Sequence, residues 1–302
     1  MESEDCQVVH QYINNGYHIV LDVNSGAIHV VDEVVYDVIP LFEQNSKEQI
    51  MELLSDKYTK EMLEEAIEEV SQLKEEESLF TPDGYEQPLL DFKKRPTVVK
   101  ALCLHIAHDC NLACRYCFAE EGEYHGRRAL MSYETGKAAL DFLIANSGSR
   151  RNLEVDFFGG EPLMNFDVVK QLVAYGREQE KIHDKHFRFT LTTNGVLLND
   201  DIMEFANREM DNVVLSIDGR KEVHDHMRPF RNGSGSYDLI VPKFQKFADS
   251  RNQEKYYVRG TFTHHNLDFS KDVLHLADLG FKQISVEPVV AQETDDYAIR
   301  EE

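Results

Sequence analysis

Basic side chains are in short supply. The 302 residues carry 32 Lys and Arg against 55 Asp and Glu, a net charge of −23. Nonspecific nucleic-acid binding needs a basic surface, so this balance argues against a nucleic-acid partner. Long apolar runs are also missing: no stretch approaches the roughly 18 residues that read as a membrane span. The N-terminus, Met1-Glu2-Ser3-Glu4-Asp5, is acidic and lacks the basic start of a secretion signal. A cytoplasmic protein with no membrane partner is expected. Cysteine is scarce and clustered, five in all, three of them in Cys110–Cys117 and none after. That distribution suits metal ligation better than a disulfide framework. Cys103 lies in an apolar run and reads as core, and Cys6 carries no signal.

What charge there is falls unevenly. Residues 1–90 hold 21 Asp and Glu with 4 Lys, a net −17, and the remainder holds 34 acidic and 28 basic residues. Two domains follow from that contrast, and the acidic part is either a solvated face or a surface for a basic or amphipathic peptide. Within 1–77, Tyr17–Val23 and Ala27–Val31 flank Asn24-Ser25-Gly26, the pattern of a β-hairpin. Three helices should follow: one with Val34, Val35, Val38 and Leu41 on a face, one capped by Ser46, and one from Thr59 with Met62, Ala66, Ile67, Val70 and Leu73. A hairpin with three helices is a winged-helix-like α+β plan. Residues 78–97, with Pro82, Gly84, Pro88 and Pro96, read as a linker, and Lys93-Lys94-Arg95 as a solvated turn. From 98 to 302 the pattern alternates. Strands are expected at 98–107, 152–158, 186–192, 212–217, 256–263 and 283–290, with helices near 132–146, 166–182, 199–209, 237–250 and 270–279. Such alternation implies parallel strands with right-handed crossovers. Six units are too few for a closed eight-stranded barrel.

The chemistry-bearing motifs all follow predicted strands, where parallel α/β folds gather ligands. Cys110-Asn111-Leu112-Ala113-Cys114-Arg115-Tyr116-Cys117 offers three thiols, one fewer than a closed structural zinc site or an electron-transfer cluster uses. A zinc site borrowing His105, His108 or His125, and inert buried thiols, are the alternatives. Arg115 could offset cluster charge or simply face solvent. Phe157-Phe158-Gly159-Gly160-Glu161-Pro162 combines close backbone approach with a carboxylate. Thr192-Thr193-Asn194-Gly195 offers hydroxyls and an amide or is a polar turn. Ser216-Ile217-Asp218-Gly219 precedes His224-Asp225-His226-Met227-Arg228, whose histidines read as surface loop residues. Arg228 and, on the fifth strand, Arg259 place guanidinium groups near these motifs, and Val286 and Val289 on the sixth strand are either apolar contacts or core.

The cysteine stretch, with Tyr116 before and Phe118 after the last thiol, is similar to the cluster motif of the radical S-adenosylmethionine (SAM) enzymes. Gly159-Gly160-Glu161 and Ser216-x-Asp218-Gly219 resemble two further signatures of that family. The resemblance implies an α/β fold, a partial (β/α)6 radical SAM barrel. Its cofactors would be one 4Fe–4S cluster on Cys110, Cys114 and Cys117, and SAM contacted by Tyr116, Phe118, Gly159, Gly160, Glu161, Asn194, Ser216, Asp218 and Arg228 or Arg259. Residues 1–77 resemble the peptide-recognition element of peptide-modifying members, in which a leader peptide adds a strand to the hairpin edge. Within the SPASM-type branch the resemblance is to the six-cysteine peptide (SCIFF) thioether maturases. It implies a ribosomal precursor peptide as substrate and an electron donor such as flavodoxin or ferredoxin. The anaerobic sulfatase maturases, which oxidise a cysteine or serine, and a truncated peptide- and cluster-binding protein are the competing readings. With no cysteine beyond Cys117, the expectation is a single cluster and no SPASM domain. No catalytic acid or base stands out.

Overall fold

Side-chain caps and turn residues set the element boundaries. The structure, a computed structural model, describes residues 8–84, 97–120 and 122–300. The chain divides into two units, Met1–Arg95 and Pro96–Glu302.

In the first unit, β1 (Val9–Asn14), β2 (Tyr17–Asp22) and β3 (Ile28–Val31) form an antiparallel sheet in the order β1-β2-β3. Strand β1 was not expected, although Asn15-Gly16, both at positive φ, is the residue pair that closes a two-residue hairpin. The turn into β3 is held by buried Asp22, which accepts from the Ser25 amide and hydroxyl at 2.8 Å each. Helices α1 (Glu33–Phe42), α2 (Lys47–Leu53) and α3 (Lys60–Glu75) start on the side-chain caps Asp32, Ser46 and Thr59. Val34, Val35, Val38, Ile50, Ala66, Ile67 and Val70 are buried together. On α3 the expected Ala66, Ile67 and Val70 are buried; Met62 alone is exposed, and Leu63 takes its place in the core. The linker boundary also needs correction. Leu79 is fully buried in this core and the Thr81 amide donates to Asp22 at 3.0 Å, so residues 78–81 belong to the first unit. The rest of the expected linker from residue 85 to residue 96, with its basic turn, lies outside the described residues, as does Cys6.

The second unit is a mixed α/β structure around a seven-stranded sheet. Six parallel strands, β4 (Ala101–His108), β6 (Asn152–Gly159), β7 (His186–Thr193), β8 (Asn212–Ser216), β9 (Tyr256–Phe262) and β10 (Ile284–Pro288), match the six expected. A short antiparallel β5 (Ala129–Leu130) flanks β4, giving the order β10-β9-β8-β7-β6-β4-β5. The two ends of the sheet are not paired to each other, so the barrel is open. Helices α4 (Tyr133–Ala145), α5 (Phe166–His183), α6 (Asp200–Glu209), α8 (Tyr237–Ser250) and α9 (Ser270–Asp278) connect the strands as expected, and α7 (Lys221–Met227) is additional. Strand periodicity sorts the two faces. On β6, Leu153, Val155 and Phe157 are buried in the helix-covered core, as are Phe187, Phe189 and Leu191 on β7. Their alternates, among them Asp156, Phe158, Thr192, Tyr257 and Arg259, face the other side, the barrel interior. Cys103 belongs to that set and is exposed, not core, because it is out of phase with Leu104 and Ile106.

Candidate active site

The cysteine loop is held from a distant part of the chain. It leaves the end of β4 and is tied to the segment after α7. Ala113 and Arg115 amides donate to the Pro229 and Met227 carbonyls at 2.9 Å each, and Leu112 bridges Phe230. Arg115 is not aimed at the thiols: its Nε donates to the His226 carbonyl at 2.7 Å. The thiols of Cys110, Cys114 and Cys117 are free of disulfides and line one cavity of about 450 Å³. Burial pushes the Cys110 thiol up to about 12 and the Cys114 thiol up to about 11. Metal loading must therefore displace protons from both.

The end of β6 presses against the start of this loop. Gly159 has φ +123°, and a Cβ there would lie 2.5 Å from the Ala107 carbonyl oxygen. A Cβ on Gly160 would lie 2.1 Å from the Asp109 carbonyl oxygen. The Gly160 and Glu161 amides donate to Ala107 and Asp109 carbonyls at 2.8 and 2.9 Å. Glycine is required at both positions for this backbone-to-backbone contact.

Gly159, Gly160, Tyr116, Phe118, Asn194, Ser216, Arg228 and Arg259 line the same cavity as the thiols, and Val289 contributes to its wall. Three expected participants do not line it: Glu161, Asp218 and Val286. Glu161 is fully buried beneath the cavity. Its Oε1 accepts from the Leu163 amide at 3.0 Å and the Thr193 hydroxyl at 2.8 Å, and its Oε2 from the Asn194 amide at 2.8 Å. It braces the turn that presents Asn194. Desolvation raises its pKa against those hydrogen bonds. Asp218 lies behind Tyr116, whose hydroxyl donates to both carboxylate oxygens at 2.8 Å. Arg228 Nη1 in turn donates to the Tyr116 oxygen at 2.8 Å. Arg259 is paired with Glu287, also on the cavity wall. His224, expected on the surface, is completely buried in α7 and contacts Asp218 and Ser236.

Sequence reasoning passed over Asp156. Its Oδ1 is buried without a partner, and desolvation pushes the carboxyl up to about 6, against the Thr192 hydroxyl and the Arg259 charge. An acid alternating with Leu153, Val155 and Phe157 was the available signal. A folded-state pKa above the ordinary 3.8 means that ionisation opposes folding: stability is lost as pH rises from about 4 to about 6 and stays lost above. Asp156→Asn is expected to stabilise the protein at pH 7.5 by on the order of 2 kcal/mol, allowing for solvent screening of a partly exposed group. The gain should vanish toward pH 4 in urea unfolding, and a pH-independent gain would refute the assignment.

The donor set fits a cluster with a nucleotide ligand beside it. Two buried donors, Arg228 Nε and Asn111 Nδ2, have no partner, and both suit sulfide or carboxylate acceptors. Asn194 Nδ2 and the Leu112 amide already approach Cys110 Sγ at 3.6 and 3.5 Å. Among the described residues no group of three His, Cys, Asp or Glu side chains is gathered around one ion-sized point. Thiolates on three different irons of a cubane stand wider apart than ligands of a single ion. A zinc site completed by His105 or His108 is also disfavoured, since both rings pack on Tyr124, with centroids at 4.4 and 4.9 Å.

The site is thus an open α/β barrel of six parallel strands with three thiols after the first of them, lining one cavity. The profile of the radical SAM superfamily matches residues 104–286, well over half the chain, and the protein belongs to that superfamily. Membership carries a 4Fe–4S cluster and SAM as cofactors. An uncharacterized protein of Methanocaldococcus jannaschii is 31% identical over 189 residues, 62% of this chain and 62% of its own length. The radical SAM cyclopropyl synthase TigE of Paramaledivibacter caminithermalis is 22% identical over 224 residues, 66% of this chain and 46% of TigE. The cysteine-type anaerobic sulfatase-maturating enzyme of Clostridium novyi is 30% identical over 137 residues, 44% of this chain and 36% of that enzyme. The chain thus spans less than two thirds of each relative. Among solved structures, anSMEcpe with bound AdoMet superposes with a TM-score of 0.59 at 18% identity, over 66% of this chain and 55% of that one. Streptococcus suis SuiB bound to S-adenosylmethionine gives 0.50 at 15% identity, over 98% and 65%. Both share the fold. No helix among the described residues is long and apolar enough to cross a membrane.

Proposed function

We propose that this chain modifies a ribosomally made, cysteine-rich peptide by forming a thioether crosslink at cysteine. The observation that carries the reading is the first unit. Among the described residues β3, like β1, pairs only with β2, so its outer edge is open, and Ile28 and Val30 on it are each 65% exposed. Such an edge accepts an extended leader as a further strand, with main-chain hydrogen bonds for affinity and apolar side chains for selectivity. The acidic character of residues 1–90 favours a leader with basic or amphipathic sequence.

At the barrel, Cys110, Cys114 and Cys117 would hold the cluster, and Arg228 would face the carboxylate of SAM. Asn194, Ser216 and the Gly159–Gly160 backbone would complete its polar contacts, with Phe118 and Val289 on apolar parts. When bound and reduced by a flavodoxin or ferredoxin, these cofactors would supply hydrogen-atom abstraction from the substrate. The protein orients the reactants and excludes water. A second reading, oxidation of a cysteine or serine, is favoured by the similarity to the Clostridium novyi enzyme and by the fold shared with anSMEcpe, solved with bound AdoMet and Cp18Cys peptide.

The test is anaerobic incubation with SAM, dithionite and the cysteine-rich peptide encoded nearest this gene. Mass spectrometry should find loss of two hydrogens per link, with sulfur retained and that cysteine no longer alkylated. Loss of sulfur would favour the second reading, and an unchanged peptide would defeat both.

A further inference from the structure

We propose that His224 and Ser236 are positioning residues that fix Arg228 and Tyr116 through a closed hydrogen-bonded ring; this rests on the reading that Arg228 faces SAM. Tyr116 donates to the Asp218 carboxylate and Arg228 Nη1 donates to Tyr116. The Arg228 carbonyl accepts from Ser236 Oγ at 2.8 Å. Ser236 Oγ lies 2.9 Å from His224 Nε2, and His224 Nδ1 lies 3.3 Å from the Asp218 amide nitrogen. From Asp218 the path runs through Tyr116, Arg228, Ser236 and His224 and returns to Asp218, a ring of five residues.

Donor and acceptor chemistry allows one arrangement. A backbone N–H only donates, so His224 Nδ1 is bare. A carbonyl only accepts, so the Ser236 proton points to Arg228 and its oxygen must accept from His224. The proton of His224 therefore sits on Nε2. His224 and Ser236 are fully buried and Asp218 is 1% exposed, so water does not offer substitutes. The ring holds Arg228 at both ends, by its carbonyl and by its guanidinium. It also holds Tyr116, in the cysteine loop, to the end of β8. Neither His224 nor Ser236 lines the cavity, so both act through Arg228.

The experiment is a double-mutant cycle on the cluster-loaded, oxidised protein, reading SAM affinity by calorimetry, with iron content and melting temperature measured alongside. Ser236→Ala removes one link, and an effect of about tenfold on the SAM Kd is expected at unchanged iron content. In an Arg228→Ala background the same substitution should have little further effect. An undiminished effect there would make Ser236 merely structural and overturn the inference. If Arg228→Ala itself leaves SAM affinity unchanged, the reading of Arg228 has failed instead. Should Ser236→Ala not fold, His224→Gln, which keeps an N–H toward Ser236, runs the same cycle. Independently of any cofactor, nitrogen-15 NMR of the histidine-labelled protein should show His224 protonated on Nε2 alone; the opposite tautomer overturns the ring.

Discussion

Cys114→Ala is expected to eliminate both iron–sulfur absorbance and 5′-deoxyadenosine release. Three thiols already leave one iron without a protein ligand, and two cannot hold the cubane. Cys114 is the middle thiol of the three, and its carbonyl also accepts the Cys117 amide at 3.1 Å. Alanine keeps that backbone bond, so the loss falls on ligation and not on the shape of the loop. Iron and sulfide analysis of anaerobically reconstituted protein, followed by chromatography of the SAM products, reads the effect. A variant that retained a full cluster and cleaved SAM at the parent rate would remove Cys114 from the site.

Gly160→Ala should be nearly as damaging, for a different reason. Its Cβ would stand 2.1 Å from the Asp109 carbonyl oxygen and 2.6 Å from the carbonyl carbon. These are backbone atoms of the neighbouring strand end and cannot rotate away. Relief requires Asp109 to move. That shift breaks the hydrogen bond from the Glu161 amide and disturbs the Cys110 amide, which donates to Asp109 Oδ1 at 2.9 Å. Overpacking of this kind costs about 1–3 kcal/mol, and more where main chain must shift. Cluster incorporation is expected to fall severely together with melting temperature. Gly84→Ala, where an added Cβ meets nothing within 4 Å, is the control and should change neither. Equal cluster content in the two variants would show that the Gly160 contact is not needed.

Local pattern carried much of the fold. All six parallel strands stand where runs such as Leu153–Phe157 and Phe187–Leu191 put them, because buried strands declare themselves by alternation. Helix α7 did not: it is seven residues long, lacks a side-chain cap and contains two histidines, so neither periodicity nor composition marks it. Strand β1 was legible through Asn15-Gly16 and was passed over. At the site, the placement of the three cysteines and the two glycines was readable because each set lies close together in sequence just after an expected strand. Glu161 and Asp218 were recognisable as residues of the site but not as to placement. Whether a carboxylate faces a ligand or braces a turn depends on partners such as Thr193, Asn194 and Tyr116. Those partners lie 32, 33 and 102 residues away in sequence. Sequence spacing along one strand end says nothing about hydrogen bonds closed across the barrel.

The attachment of the cysteine loop to residues 227–230 bears on how the protein is made. No stretch of chain shorter than that from Cys110 to Phe230 contains both the three thiols and the backbone partners that shape their loop. During synthesis the thiols leave the ribosome more than a hundred residues ahead of the support that orders them. Closing so distant a contact is entropically slow. Iron delivery to an ordered site therefore waits on translation through the fourth parallel strand and the helix after it.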